Sequence, residues 1–200
     1  DDEVDRDEGD GRDDHDRKQH GGVAVGDGLR RQLPDARARE HRLGDNGAAD
    51  ELAEQLTPEL LAIESPPMAD WLEAFVPLRI HVLVRFGRWD ELIATPLPED
   101  AELYCTTAAT IHYGRGVAHA ASGHLDQAKA ERDHFVRAYE RIPDSRYLFN
   151  NTSRDILAVA AAMLDGEIEY RAGEFDAAFA HLRRAVELDD NLPYDEPWGW

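Results

Sequence analysis

From about residue 48 to residue 190, apolar residues recur at the spacing of an α-helix. The pattern is clearest late in the chain, where they fall three, four and seven positions apart. They are Leu157, Ala160, Ala161, Leu164 and Ile168 in one segment, and Phe175, Ala178, Phe179, Leu182, Ala185 and Val186 in the next. No segment alternates between apolar and polar residues in the manner of a strand. The pattern therefore predicts an all-α fold.

Capping residues, prolines and glycines mark the helix boundaries. Thr57-Pro58-Glu59 predicts a helix start, because Thr caps, Pro suits the first turn and Glu favours the positive end of the helix dipole. Thr152 with Asp155 three residues later is a second capping arrangement. Pro77 lies inside the apolar segment 71–86 and either kinks one helix or begins another. Further helices are predicted over 89–94, over 101–121, and from Leu125 to a stop before Pro143.

Residues 1–47 differ from the rest of the chain. Asp, Arg, Gly and His dominate this acidic, low-complexity segment, and apolar residues are sparse. Such a composition buries too little apolar area to offset the conformational entropy of folding, so we expect the segment to be disordered. Two origins fit the abrupt change near residues 46–50. The segment is either a genuine acidic tail or the product of a GC-rich coding region read out of frame.

A repeat becomes visible when the chain is aligned on the glycines between paired helices. The hexamers RWDELI, HLDQAK and EFDAAF follow Gly87, Gly123 and Gly173 in turn. Seven residues upstream of the last two glycines stand Gly116 and Gly166, whereas Ile80 takes that position in the first unit. Each unit is a candidate helix pair.

These units resemble the tetratricopeptide repeat (TPR), a pair of antiparallel helices of about 34 residues. The last unit has the full set of signature residues, the middle unit replaces the second alanine by Phe135, and the first keeps only the turn and apolar positions. The matching residues are Gly87 and Trp89, then Gly116, Gly123, Leu125 and Ala128, then Gly166, Gly173, Phe175, Ala178, Leu182 and Ala185. The TPR resemblance covers about residues 48–200. Three segments are also similar to a group of bacterial TPR proteins without an assigned activity: FGRWDEL, NNTSRDILAVAAAMLDGEIEYRAGEFDAAFAHLRRAVELDD and LPYDEPWGW.

The resemblance implies a short right-handed solenoid of about three stacked helix pairs over residues 48–200, incomplete at its C-terminal end. Gly166 and Ala178 would lie where two helices cross closely, and Ala185 would face the next repeat. Gly173 would adopt the left-handed conformation that ends a helix. The final helix would lack its neighbour, which leaves an apolar face for self-association. Trp198 and Trp200 would then be partly solvent-exposed, or would fold back or pair with another chain.

TPR proteins bind peptides or helices in a concave groove lined by the first helix of each pair, so the resemblance implies a non-catalytic protein-binding scaffold. The groove positions map onto His81 and Arg85 in the first unit and onto Tyr113 in the second. In the third unit they map onto Glu167, Tyr170 and Arg171. Tyr and Arg are frequent anchors in protein interfaces.

Charge and composition exclude several other classes of function. The formal net charge of −20 argues against binding to nucleic acids or to anionic membranes, both of which need a positive surface. Cys105 is the single cysteine, so neither an internal disulfide nor a cysteine-based zinc site can form. No apolar run of membrane-spanning length and no signal peptide is seen. We expect a cytoplasmic protein, and the missing initiator Met indicates a fragment.

A rival interpretation gives the middle helices a chemical role. His112 and His119 lie seven residues apart on one helix face, which suits a domain that binds a metal or small ligand and assists a hydrolytic or redox reaction. Two helical turns separate the pair by about 10 Å, too far for one metal without further ligands. No catalytic triad or metal motif is present, so we predict no enzyme activity, no cofactor and no resident metal. A third interpretation is a truncated or mis-framed product without function.

Overall fold

The computed structural model describes residues 47–65 and 67–193, and all of these belong to one compact unit. The helices are α1 (Gly47–Gln55), α2 (Pro58–Leu61), α3 (Met68–Leu72), a 3-10 turn (Glu73–Phe75), α4 (Leu78–Arg85), α5 (Trp89–Ala94), α6 (Cys105–Ala121), α7 (Leu125–Glu140), α8 (Ser153–Ala172) and α9 (Phe175–Asp190). The prediction of a mainly helical fold is confirmed. The predictions for residues 1–46, Trp198 and Trp200 lie outside the described residues.

Two long helix pairs form the centre of the fold. α6 packs along α7, α8 packs along α9, and α8 also contacts both α6 and α7. Tight turns of three and two residues join the members of each pair, so the paired helices run antiparallel. The main core lies between them and contains Phe135, Leu157 and Leu164, none more than 2% exposed. The short helices α4 and α5 pack against the other side of α6 around Ile80, Leu83 and Leu92.

Several predicted boundaries are confirmed by the capping geometry. Thr57 caps α2 by accepting a hydrogen bond from the Leu60 backbone N–H, with Pro58 in the first turn. Thr152 caps α8 by accepting from the Asp155 N–H at 3.1 Å. Pro77 directly precedes α4, so of the two alternatives it begins a helix rather than kinking one.

Two features depart from the sequence predictions. The helix expected over 101–121 begins only at Cys105, because residues 101–104 form a turn. Tyr147–Leu148 pairs in antiparallel fashion with Asn151–Thr152 in a short hairpin. This hairpin was not predicted, because polar and apolar residues do not alternate there. Two-residue strands are too short to leave a pattern of period two.

The glycines of the repeat have the conformations and contacts that helix packing requires. Gly173 has φ = +84° and ends α8, as predicted, and Gly87 and Gly123 are also left-handed. A Cβ on Gly116 would lie 2.8 Å from Leu164 Cδ1, and one on Gly166 would lie 3.1 Å from the Ala178 backbone oxygen. Gly166 and Ala178 therefore meet at the α8–α9 crossing, as predicted.

Ala185 corrects one of the predicted packing roles. It is 1% exposed, but it packs with Val159 and Ala162 of α8, within its own helix pair. The prediction that it faces the next repeat is therefore wrong. Its small side chain serves the same close α8–α9 contact as Ala178.

We expect Gly173→Ala to lower the free energy of unfolding by about 1 kcal/mol. An added Cβ would meet no atom within 4 Å, so the cost is the left-handed backbone, which disfavours L residues with a side chain. Gly173→Asn is the matched control and should cost less, since Asn tolerates this conformation. Urea denaturation measures both variants. Equal stability of wild type and Gly173→Ala would contradict the assigned role.

Candidate functional site

An exposed row of apolar side chains runs along α9. Phe175, Phe179, Leu182 and Val186 are spaced by four, three and four residues, so they share one face of the helix. Phe175 is 52% exposed, Phe179 44% and Val186 60%, whereas Leu182 is half-buried. Tyr170, at the end of α8, joins the row, with its ring centroid 5.4 Å from Phe175 and 6.2 Å from Phe179. We call Tyr170, Phe175, Phe179 and Val186 the aromatic face.

Charged side chains border the aromatic face on the α8 side. The Arg171 guanidinium lies 5.8 Å from the centre of the Tyr170 ring and donates from Nε to Glu167 Oε1 at 2.8 Å. Exposed aromatics beside a fixed arginine and its carboxylate partner combine apolar area with groups that can orient a polar ligand.

The structure brings together four of the six predicted groove residues. Arg171 contacts both Glu167 and Tyr170. Tyr113 of α6 lies close enough to Glu167 for that carboxylate to help burial raise the pKa of its hydroxyl. However, Tyr113 is 3% exposed, so the prediction that it lines an open groove is wrong: the ring packs in the main core.

The other two predicted groove residues lie on α4, which comes earlier in the chain than the helices that form the aromatic face. Arg85 is exposed and His81 is half-buried, and burial lowers the pKa of the His81 imidazole. The third unit provides a group of predicted binding residues in mutual contact, Glu167, Tyr170 and Arg171.

A comparison of the two long helix pairs shows which surface of α8–α9 is open. Gly116 and Gly166, like Gly123 and Gly173, are 50 residues apart, so positions in the two pairs correspond at that offset. Val136 packs against the main core, but its counterpart Val186 is 60% exposed. Ala120 is fully buried, but its counterpart Tyr170 is 42% exposed. At these two positions the inner pair is packed into the core, whereas Lys129, the counterpart of Phe179, is exposed. No described element covers Tyr170 and Val186 of the outer pair.

The histidines of the middle helices do not form a metal site. His112 Nδ1 lies 2.6 Å from Glu131 Oε2, and the His112 ring stacks on His134 at 5.1 Å. His119 instead lies beside His124, with ring centroids 6.0 Å apart, and burial lowers its pKa. Within the described ranges, no group of three or more His, Cys, Asp or Glu side chains could hold a metal ion.

Cys105 is equally unsuited to nucleophilic chemistry. The thiol is 4% exposed at the start of α6, and burial, followed by the negative charge of Glu73, raises its pKa. A reactive cysteine needs an accessible thiolate. The contacts agree with a packing role in the main core.

Glu131 should make stability depend on pH in the acid range. Burial alone would raise the pKa of its carboxyl group, but the His112 hydrogen bond and nearby positive groups outweigh burial and hold it below the ordinary value of 4.5. A lowered pKa in the folded state stabilises the fold above pH 4.5, and this contribution is lost as the pH falls through and below that value. We expect Glu131→Gln to cost about 1 kcal/mol at pH 7.

The measurement is thermal or urea unfolding of wild type and Glu131→Gln across pH 3 to 7, where the difference between the two should shrink below about pH 4.5. Glu187→Gln is the control, because Glu187 forms an exposed ion pair with Arg184 and should contribute almost nothing. A constant difference at every pH would contradict the assignment.

No family model, curated protein or solved structure matches the chain. Membership of the TPR family therefore stays a prediction that rests on the signature residues. In the part of the chain that the structure describes, none of the helices combines the length and apolar character that a membrane crossing requires. The sequence predicted an uncovered apolar face on the last helix, but it did not single out Phe175, Phe179 and Val186 as the exposed residues, because their helical spacing is the same as that of a buried stripe.

Proposed function

We propose that residues 48–200 form a TPR-like, non-catalytic scaffold that binds a helix of a partner protein on the aromatic face. The observation that carries the proposal is the exposure of Tyr170, Phe175 and Phe179 in ring contact, with exposed Val186 on the same face of α9. Contiguous exposed apolar surface with a polar border is typical of protein-binding sites. The stacking of α8 on α6 and α7 supports the repeat arrangement.

The fold itself supplies the argument for a helix as the bound element. The surface of the inner pair that includes Ala120 and Val136 is covered by the described helix α8. The outer pair presents the corresponding positions, Tyr170 and Val186, with larger or more exposed apolar groups. A helix with an apolar stripe fits such a surface, since its side chains at i, i+4 and i+7 match the spacing of Phe175, Phe179 and Leu182.

The test compares two phenylalanines with the same exposure. Phe179 of the aromatic face and Phe86 beside α4 are each 44% exposed. Peptides are selected on the wild-type chain from a phage-displayed random library, and their affinities for Phe179→Glu and Phe86→Glu are measured by calorimetry. We expect Phe179→Glu to weaken binding at least about tenfold, because a buried charge replaces an aromatic anchor, and Phe86→Glu to leave it unchanged.

Circular dichroism of the selected peptides then shows whether they become helical when bound. Equal loss of binding in both variants, or none in either, would overturn the aromatic face as the binding site. Light scattering tests whether the aromatic face instead binds a second copy of this chain. In that case the wild type would be a dimer and Phe179→Glu a monomer, and the proposal of a partner helix would be wrong. Extended rather than helical bound peptides would contradict the proposed mode.

The histidine-based alternative finds no comparable support. His112 is held by Glu131 and stacked on His134, while His119 pairs with His124. The two residues that the alternative depends on therefore have separate partners. Their contacts contribute to the packing of α6 on α7.

A further inference from the structure

The inner helix pair shows how a further helix packs on the end of a helix such as α9. α8 packs on both α6 and α7, and it begins beside the end of α7. Tyr139 near the end of α7 meets Arg154 in the first turn of α8, and Arg132 further back in α7 meets Asp165 further along α8. α8 therefore runs antiparallel to α7, with its N-terminal turn at the C-terminus of α7.

Arg154 is the residue of α8 that contacts the end of α7. Its guanidinium lies 4.9 Å from the centre of the Tyr139 ring. Nη1 donates to the carbonyl oxygen of Ile142 at 2.8 Å and to that of Tyr139 at 3.4 Å, and Nε lies 3.4 Å from Asp144 Oδ1. A cation is favoured there because the last carbonyl groups of a helix lack intrahelical partners and form the negative end of its dipole.

The end of α9 repeats the backbone turn that ends α7. At the offset of 50 residues, Asp189 corresponds to Tyr139 and Leu192 to Ile142. The Leu192 N–H donates to the Asp189 carbonyl oxygen at 3.0 Å, and the Ile142 N–H donates to the Tyr139 carbonyl oxygen at 3.1 Å. The two helix ends therefore have the same local geometry, but the position of the Tyr139 ring is taken by a carboxylate in the outer pair.

The end of α9 concentrates negative charge beside the aromatic face. Asp189 and Asp190 are exposed, and they follow Val186 by three and four residues, so they continue the aromatic face at its C-terminal end. The last turn of α9 has no basic residue, whereas α7 has Arg137 at the position of Glu187. Acids at a helix C-terminus are destabilising, and a cation supplied by a bound helix would compensate them.

We infer that the helix bound on the aromatic face runs antiparallel to α9 and carries an arginine or lysine near its N-terminal end, which contacts Asp189 and Asp190. This inference rests on the proposed function, since it requires a helix on that face. The direction follows from α8 on α7, and the charge follows from the two carboxylates that replace the ring contacted by Arg154. The partner is thus a basic amphipathic helix of defined orientation.

The apolar pattern of the bound helix is taken from α8. Leu157, Ala161 and Leu164 follow Arg154 by three, seven and ten residues, and all three pack in the main core. The first probe is a capped peptide of alanine and glutamine with leucines at these intervals after a single arginine. The second has the same composition, but its arginine stands three residues after the last leucine.

The affinities of both peptides for the isotope-labelled full-length protein are measured by NMR titration at low and at high salt. We expect the first peptide to bind about fivefold more tightly at low salt, because only its arginine reaches the two aspartates when the peptide runs antiparallel to α9. The difference should shrink at high salt, since salt screens exposed charge pairs. A nitroxide at the arginine end of the first peptide should broaden the amides near Asp190 and not those near Phe175, about 22 Å away along α9.

Variants test the role of the two carboxylates. Asp189→Asn/Asp190→Asn should remove the advantage of the first peptide without unfolding the chain, because it takes negative charge away from a helix C-terminus. Glu51→Gln/Glu54→Gln is the matched control, since it removes the same charge from exposed positions of α1. This control should bind the two peptides with the same preference as the wild type.

The outcomes distinguish this inference from the proposed function. Equal affinity of the two peptides for the wild type, an unchanged preference in the aspartate variant, or broadening near Phe175 would overturn the inferred charge and direction. Failure of both peptides to bind would overturn the pattern taken from α8. In each case the peptides selected from the random library still decide the proposed function. If their binding does not depend on Phe179, both proposals are wrong.

Discussion

Glu73→Ala is expected to lower the free energy of unfolding by about 3 kcal/mol, because this side chain caps the N-terminus of α6 from a distant part of the chain. Glu73 is fully buried. Its Oε1 accepts from the Thr107 N–H at 2.7 Å and from the Thr107 hydroxyl at 2.6 Å, and its Oε2 accepts from the Thr106 N–H at 3.2 Å. Truncation leaves these donors buried without an acceptor and removes a negative charge from the positive end of a helix.

Two further variants distinguish the loss of the helix cap from a general effect of removing a carboxylate. Glu73→Gln keeps one oxygen acceptor and should lose about half as much stability as Glu73→Ala. Glu99→Ala removes an exposed glutamate and should stay within about 0.5 kcal/mol of wild type. Urea denaturation at pH 7 measures all three. A loss below about 1 kcal/mol for Glu73→Ala would contradict the capping role.

This cap also explains where sequence reasoning failed. Thr57 and Thr152 allow the starts of their helices to be predicted, because the capping side chain is close in sequence to the N–H donors that it caps. α6 has no local cap: Tyr104 makes no side-chain hydrogen bond to the helix, and the acceptor comes from 33 residues earlier. The expected start near residue 101 was therefore too early. A contact between distant residues leaves no periodic or local signal.

The same distinction applies to the candidate sites. Helical spacing correctly predicted that Phe175, Phe179 and Val186 share one face of a helix, but spacing does not show whether another helix covers that face. Their exposure depends on what packs outside α9, which is a property of the whole fold.

Gly166→Leu is expected to destabilise the protein by about 3 kcal/mol, at the upper end of the cost of overpacking. Even a Cβ at this position would lie 2.7 Å from Leu182 Cγ and 2.9 Å from Leu182 Cδ2. It would also lie 3.1 Å from the backbone oxygen of Ala178, which cannot move without shifting α9. The gain in helix propensity on replacing glycine is only about 1 kcal/mol, so the steric clash outweighs it and the substitution is destabilising.

A double-mutant cycle tests whether the α8–α9 crossing is the cause. Leu182→Ala removes the side chain that the new residue meets, so Gly166→Leu/Leu182→Ala should recover at least about 1 kcal/mol relative to the sum of the single changes. Ala180→Leu adds a similar side chain to an exposed position of α9 and should be nearly neutral. Additive effects in the cycle would mean that the destabilisation by Gly166→Leu does not arise from contact with Leu182. A neutral Gly166→Leu in thermal and urea unfolding would contradict the close crossing itself, and with it the alignment of the last unit on the TPR signature.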